Sequence, residues 1–163
     1  LRPQGQFGAK IAVSDTNVER FLAGLYRKET PTHNAAGLFE VEQTGPYNYR
    51  VVGGGTAMDI DGYRGSTMLD AKFVEKPGRS PYVNGSMAPD FLRRKILKEQ
   101  EYELQRYKAI IDDPNVPFQK LNILTNESKA VSYFEALMQK YQVPGVVNIG
   151  DTKIPQAPDG RAR

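Results

Sequence analysis

The stretch DIDGYRGSTMLDAK, residues 59–72, decides how the rest of the chain is read. Residues 56–61 (TAMDID) and 66–73 (STMLDAKF) alternate apolar and polar types on either side of the Gly62 to Gly65 segment, the signature of two strands joined by a tight turn. Side chains alternate faces along a strand, so Asp70 and Lys72 point one way while Leu69, Ala71 and Phe73 point the other. Asp59 and Asp61 likewise share a face, opposite Met58 and Ile60. A hairpin brings its strands within about 5 Å. Up to three carboxylates and one ammonium therefore converge on a small patch.

Two carboxylates held that close repel, and one takes up a proton unless a cation is supplied. A divalent ion supplies it. Magnesium, or manganese, accepts one or two carboxylates plus water and phosphate oxygens, so Asp59, Asp61 and Asp70 are all candidate ligands and the Ala71 carbonyl a further one. Such an ion acidifies water and offsets charge on a phosphodiester, with Lys72 positioning or deprotonating that water and stabilising the phosphate. The chemistry suggested is phosphodiester hydrolysis. The bare acid-x-Lys pattern recurs at Glu127 to Lys129 and Asp151 to Lys153, so only the setting of Asp70, on an apolar strand after a Gly turn and an acidic strand, distinguishes it. A solvated, charged hairpin is the competing reading of the same spacing.

The composition narrows the metal chemistry. With no cysteine and His33 as the one histidine, thiolate sites and disulfides are excluded, and neither a zinc site nor a Ser/His/Asp triad is well supplied. Any metal must sit on oxygen donors. The net charge of +3 leans towards an acidic partner such as nucleic acid. No apolar run reaches membrane-spanning length and no signal peptide is visible. The chain opens on Leu1 and reads as a piece of a longer protein. Its 163 residues fit one domain, with a core over about 15–150 and a tail at 151–163 too poor in apolar residues to pack.

Outward from the hairpin, VERFLAGLYRK (18–28) and HNAAGLFEVEQ (33–43) have helical spacing, and YNYRVV (47–52) adds a strand to the meander. Residues 77–90 carry turn formers in quick succession and read as a long flexible loop. Leu97, Leu104 and Ile111 mark the longest helix, 91–111; LNILT (121–125) is a strand, 127–141 a helix, and VVNI (146–149) a last strand. The fold class expected is α/β (α+β): a meander, then strands delivered by helical crossovers into a mixed central sheet flanked by helices.

That order, with Asp61 on the second core strand and DAK (70–72) on the third, resembles the restriction-endonuclease-like, or PD-(D/E)xK, nuclease superfamily. Phe39–Glu40, Thr44–Gly45, Ile60–Asp61–Gly62 and MLDAK further resemble nuclease domains at the C-terminal ends of bacterial polymorphic toxins, over roughly residues 33–150. The resemblance implies an αβββαβ core and a metal-dependent endonuclease, a DNase toxin domain of a secreted effector that acts in the target-cell cytoplasm and is blocked by a cognate immunity protein. It also implies a glutamate from the first core helix, Glu40 or alternatively Glu42. Ile60 stands where the eponymous pattern has proline, which leaves Asp59 as an alternative to Asp61 for the first ligand. An RNase or tRNase on the same scaffold, and a non-catalytic binding domain, remain the alternative functions.

Further along, Arg93, Arg94 and Lys95, with Lys98, Arg106 and Lys108, are placed to line a phosphate groove or to form a solvated helix face. Gln100, Gln105 and Tyr107 resemble helix residues that support the site in related nucleases, Tyr107 being equally suited to the core. Tyr47, Tyr49 and Tyr63 are candidates to stack on bases or to pack on the sheet, and His33 is a cap or surface residue.

Overall fold

A computed structural model describes residues 15–150; the expected tail lies outside the described residues. The elements run α1 (Asp15–Ala23), β1 (Arg27–Glu29), α2 (Ala35–Thr44), β2 (Tyr47–Gly53), β3 (Thr56–Ile60), β4 (Gly62–Arg64), β5 (Thr67–Lys72), α3 (Asp90–Asp112), β6 (Lys120–Thr125), α4 (Ser128–Lys140) and β7 (Gly145–Ile149). This is the expected mixed α+β architecture, with the helix, strands, helix, strand order intact. None of the described helices is long and apolar enough to cross a membrane.

Two expectations about the strands change. Arg27 and Lys28, read as the end of the first helix, form β1 and pair antiparallel with Asn48 and Tyr49; its three residues are all exposed, so no apolar periodicity marked them. The meander is also divided between two sheets. Strands β1-β2-β3 form an antiparallel sheet, and β4-β5-β6-β7 form a second in which β5, β6 and β7 run parallel. Gly62 is therefore a strand residue paired with Leu69, and the turn is Gly65–Ser66.

The chain passes from one sheet to the other at Asp61, and this break positions the site. The first hairpin turns on Gly54 and Gly55, with φ of 60° and 76°, a backbone that glycine adopts without cost. Gly62 is required for another reason: a Cβ there would lie 2.1 Å from the carbonyl oxygen of Thr44, so the C-terminal end of α2 rests directly on β4. One apolar cluster, including Ile60, Met68, Leu104, Phe118, Ile123 and Phe134, is shared by both sheets and by α3 and α4. Residues 77–90, expected to be flexible, are tied together: Ser86 Oγ donates to the Ser80 carbonyl at 2.5 Å, and Tyr82 packs on Tyr133 and Phe134.

Candidate active site

At the break, the Gly62–Leu69 register carries Asp61 opposite Asp70, and opposite residues of an antiparallel pair share a face. Asp61 N–H still donates to the Leu69 carbonyl at 3.2 Å, but beyond it the strands part. The Asp61 carboxylate fills the opening, its Oδ2 accepting from the Ala71 N–H at 2.8 Å. Along a strand, a residue's N–H and C=O leave by the same edge. The Ala71 carbonyl therefore faces the same opening.

Asp70 is 3% exposed, and its Oδ2 accepts no hydrogen bond from any described residue. Lys72 Nζ lies 3.2 Å from that oxygen, an ion-pair contact without hydrogen-bond geometry, and 2.6 Å from Glu103 Oε1 on α3. Burial, the largest influence, pushes the Asp70 carboxyl well up; Lys72 opposes this, and Glu103 and Asp61 add to it. Asp61 is pushed up to about 7, first by burial and then by Glu40. Burial draws Lys72 towards the neutral amine, but the pull of Asp70 and then Glu103 is larger and holds it as ammonium. Burial, the largest influence, would raise Glu103, but Lys72, with Asp70 and Arg106 behind it, overrides this and holds the carboxyl below its usual range. The upward shift of Asp70 and that of Lys72 look opposed for one ion pair. They agree once Glu103, the more exposed of the two carboxylates, carries the charge that balances the ammonium. The pocket is short of positive charge, and its two deepest carboxyls are both shifted towards the protonated form.

Glu40 enters from α2. Its Oε1 accepts from Asn48 Nδ2 at 2.5 Å and from Thr30 Oγ1 at 3.4 Å, which aims it at the Asp61 side. Glu42, two residues on and roughly 200° around the helix, is on the exposed side and does not share this position. Asp59 is also separated from the cluster: it is exposed and pairs with Lys28 and Arg50, each at 3.4 Å.

The structure divides the expected nucleic-acid contacts. Arg93 is turned towards the 77–90 loop, donating to the Ser86 carbonyl and hydroxyl at 2.8 and 3.0 Å. Gln100 is buried, on the inner side of α3. Arg94, Lys98 and Arg106 are exposed. Tyr107 is buried, and Tyr49 packs edge-on against Tyr63 with ring centroids 5.5 Å apart, so these rings serve the core. Tyr47 has Arg27 over its ring at 4.3 Å, and His33 is exposed beside Asn34, the residue that caps α2.

Four residues at the site were not read from the sequence: Glu103, Asn48, Thr30 and Tyr82, whose hydroxyl feels the charges of Lys72, Glu103 and Asp70. Glu103 had one available signal, its place four residues before Tyr107 on the inner border of α3. The other three meet their partners across element boundaries, Asn48 and Thr30 eight and ten residues from Glu40, and no helix or strand periodicity encodes such contacts.

A family model described as restriction endonuclease fold toxin 2 matches residues 35–144. The chain belongs to this family. The match begins at the first residue of α2 and extends past α4, so this restriction endonuclease-fold toxin domain has Glu40, Asp61, Asp70, Lys72 and Glu103 inside the matched segment. Membership brings a nuclease activity, and with it a nucleic-acid substrate. No curated protein and no solved structure gives a significant match.

Restriction-endonuclease-like nucleases generally use divalent metals, and the donor set can be tested for that use. Among the described residues no three Asp, Glu, His or Cys side chains are drawn together in ligating geometry. Magnesium asks for less, one or two carboxylates completed by water and phosphate oxygens. Two carboxylates, a carbonyl on the same edge and a buried carboxylate oxygen without a hydrogen-bond donor meet that requirement. The residues fit a hard divalent ion.

Proposed function

We propose that the chain is a metal-dependent DNA endonuclease, the toxic domain of a secreted bacterial effector that acts in the target-cell cytoplasm. The observation that carries the reading is the Asp70 carboxylate oxygen, buried, without a hydrogen-bond donor, beside Asp61 and Lys72. Asp61, Asp70 and the Ala71 carbonyl hold Mg2+ or Mn2+, which when bound offsets charge on the phosphodiester and acidifies water.

The chain's own groups do the rest. Lys72, locked as ammonium between Asp70 and Glu103, has no lone pair to offer. Of its two expected roles the geometry favours positioning the attacking water and stabilising the phosphate over deprotonation. Glu40, oriented by Asn48 and Thr30, assists from the α2 side as a proton acceptor. Arg94, Lys98 and Arg106 contact the nucleic-acid backbone. The whole chain acts as one nuclease domain, and a cognate immunity protein with an acidic surface would suit its positive net charge.

The test is plasmid degradation with Mg2+, with EDTA, and with Lys72→Ala, with RNA offered in parallel. Cutting that requires Mg2+ and is lost in Lys72→Ala is expected. Undiminished cutting under both treatments overturns the assignment, and preferential loss of RNA redirects the substrate.

A further inference from the structure

The outer face of α3 carries chemistry that the carboxylate cluster does not use. Phe91, Lys95, Lys98, Tyr102 and Arg106 follow one another at steps of four, three, four and four residues, which places them in one stripe along the helix. Two large rings on that stripe are open to solvent, Phe91 at 71% and Tyr102 at 53% exposure. Lys95, Lys98 and Arg106 form no ion pair with any described residue. Lys98 Nζ sits 5.9 Å from the centre of the Tyr102 ring. Beside it, Tyr102, Gln105, Arg106 and Ala109 on α3 face Thr56 of β3 across a groove of about 490 Å3. Arg106 comes one turn after Glu103, the partner of Lys72, so the groove opens next to the candidate active site.

We propose that this stripe is a track for nucleic acid with unpaired bases, a base stacking on Tyr102 while Lys98 and Arg106 engage the flanking phosphates. Charge decides the class of ligand: Lys95, Lys98 and Arg106, of which Arg106 also feels Glu103, outnumber Glu99 on this face and suit a polyanion. Burying those cations in an apolar protein interface would leave them desolvated without partners, which argues against a second copy of the chain. The rings decide the form of the polyanion. A duplex hides its base faces, whereas every unpaired base offers one, and alternating basic and aromatic side chains are how single strands are held. The track rests on the nuclease reading only for its end point at the cleavage site; binding along it stands alone.

Binding is therefore measured in EDTA, where cleavage plays no part. A DNA oligonucleotide carrying 2-aminopurine, its RNA counterpart and a blunt DNA duplex are titrated against the 163-residue chain and its Tyr102→Leu, Tyr102→Phe and Arg106→Ala variants. The expected result is quenching of the single-strand probe by the unmodified chain and by Tyr102→Phe. Tyr102→Leu loses the quenching and binds roughly fivefold to a hundredfold more weakly. Arg106→Ala weakens binding and flattens its salt dependence. The DNA and RNA arms show which sugar is preferred, either preference being consistent with the track. Equal quenching by Tyr102→Leu, duplex binding as tight as single-strand binding, or no oligonucleotide binding at all overturns the proposal. Loss of plasmid cutting in Lys72→Ala reports separately on the catalytic reading.

Discussion

Lys72 is unusual in having two carboxylates to answer to, Asp70 at 3.2 Å and Glu103 at 2.6 Å, and only Glu103 approaches at charge-assisted hydrogen-bond distance. Glu103 thus fixes where the ammonium sits, while Asp70 keeps an oxygen available. Glu103→Gln preserves shape and an acceptor oxygen but removes the charge, so Lys72 is free to swing onto Asp70 and close the pocket. We expect kcat to fall about 10- to 100-fold, with KM nearly constant and the melting temperature within a few degrees of the parent. Steady-state cleavage of a labelled oligonucleotide checks it. A rise in KM at constant kcat would instead place Glu103 in substrate binding. Asn48→Ala acts through Glu40 in the same manner, since Asn48 holds the nearer of the two hydrogen bonds to that carboxylate.

At the scale of the element, α2 reaches the site by resting on β4 without side chains between them. A methyl group at Gly62 would meet the Thr44 carbonyl at 2.1 Å, and neither backbone can retreat without lifting α2 and Glu40 with it. Gly62→Ala is expected to cost roughly 1–3 kcal/mol in urea unfolding and to reduce cleavage beyond what that loss of stability explains. Gly78→Ala, with open space around it, is the matched control and should be neutral. Much of this frame was legible: α2, β2, β3, α3, β6 and α4 all carry strong periodicity or clear caps, and DAK on an apolar strand pointed to Asp70 and Lys72. What was not legible depended on tertiary contact. The division of the meander at Asp61 follows from packing of α2 on Gly62, and β1 is too short and too exposed to show a pattern. Asp59 and Asp61 are indistinguishable by alternation, and tertiary contact with Glu40 of α2 and Ala71 of β5 is what separates the buried carboxylate from the surface ion pair.

Across the whole molecule, the shortage of positive charge in the pocket sets a pH dependence of stability. Asp61 faces Glu40 from α2 and Lys72 from β5, with Asp70, Glu103 and Tyr107 around it, and burial pushes its carboxyl up to about 7. The unfolded chain releases that proton near the ordinary value of about 3.9. The folded state therefore holds the proton more tightly, and this contribution to stability is complete below about 3.9 and fades as pH rises through about 7. Asp70 is displaced in the same direction and adds to the trend. Glu101, held below the ordinary range by Lys140 and then Tyr141, works the other way, but its contribution is lost only as pH falls below about 4.5, outside this window. In EDTA the melting temperature is thus expected to drop between pH 5 and pH 8. Mg2+ should restore it at pH 8 and do little at pH 5, because a cation and a proton compete for the same oxygens. Asp61→Asn supplies the decisive comparison: the amide oxygen can still accept from Ala71, but there is no carboxylate left to ionise. That variant should melt several degrees above the parent at pH 8 in EDTA, lose the share of the pH slope that Asp61 supplies while keeping that of Asp70, gain little from Mg2+ and fail to cut DNA. A parent protein whose stability in EDTA holds level or climbs from pH 5 to pH 8 would mean that these carboxylates are not straining for a cation, and the metal site would have to be sought elsewhere.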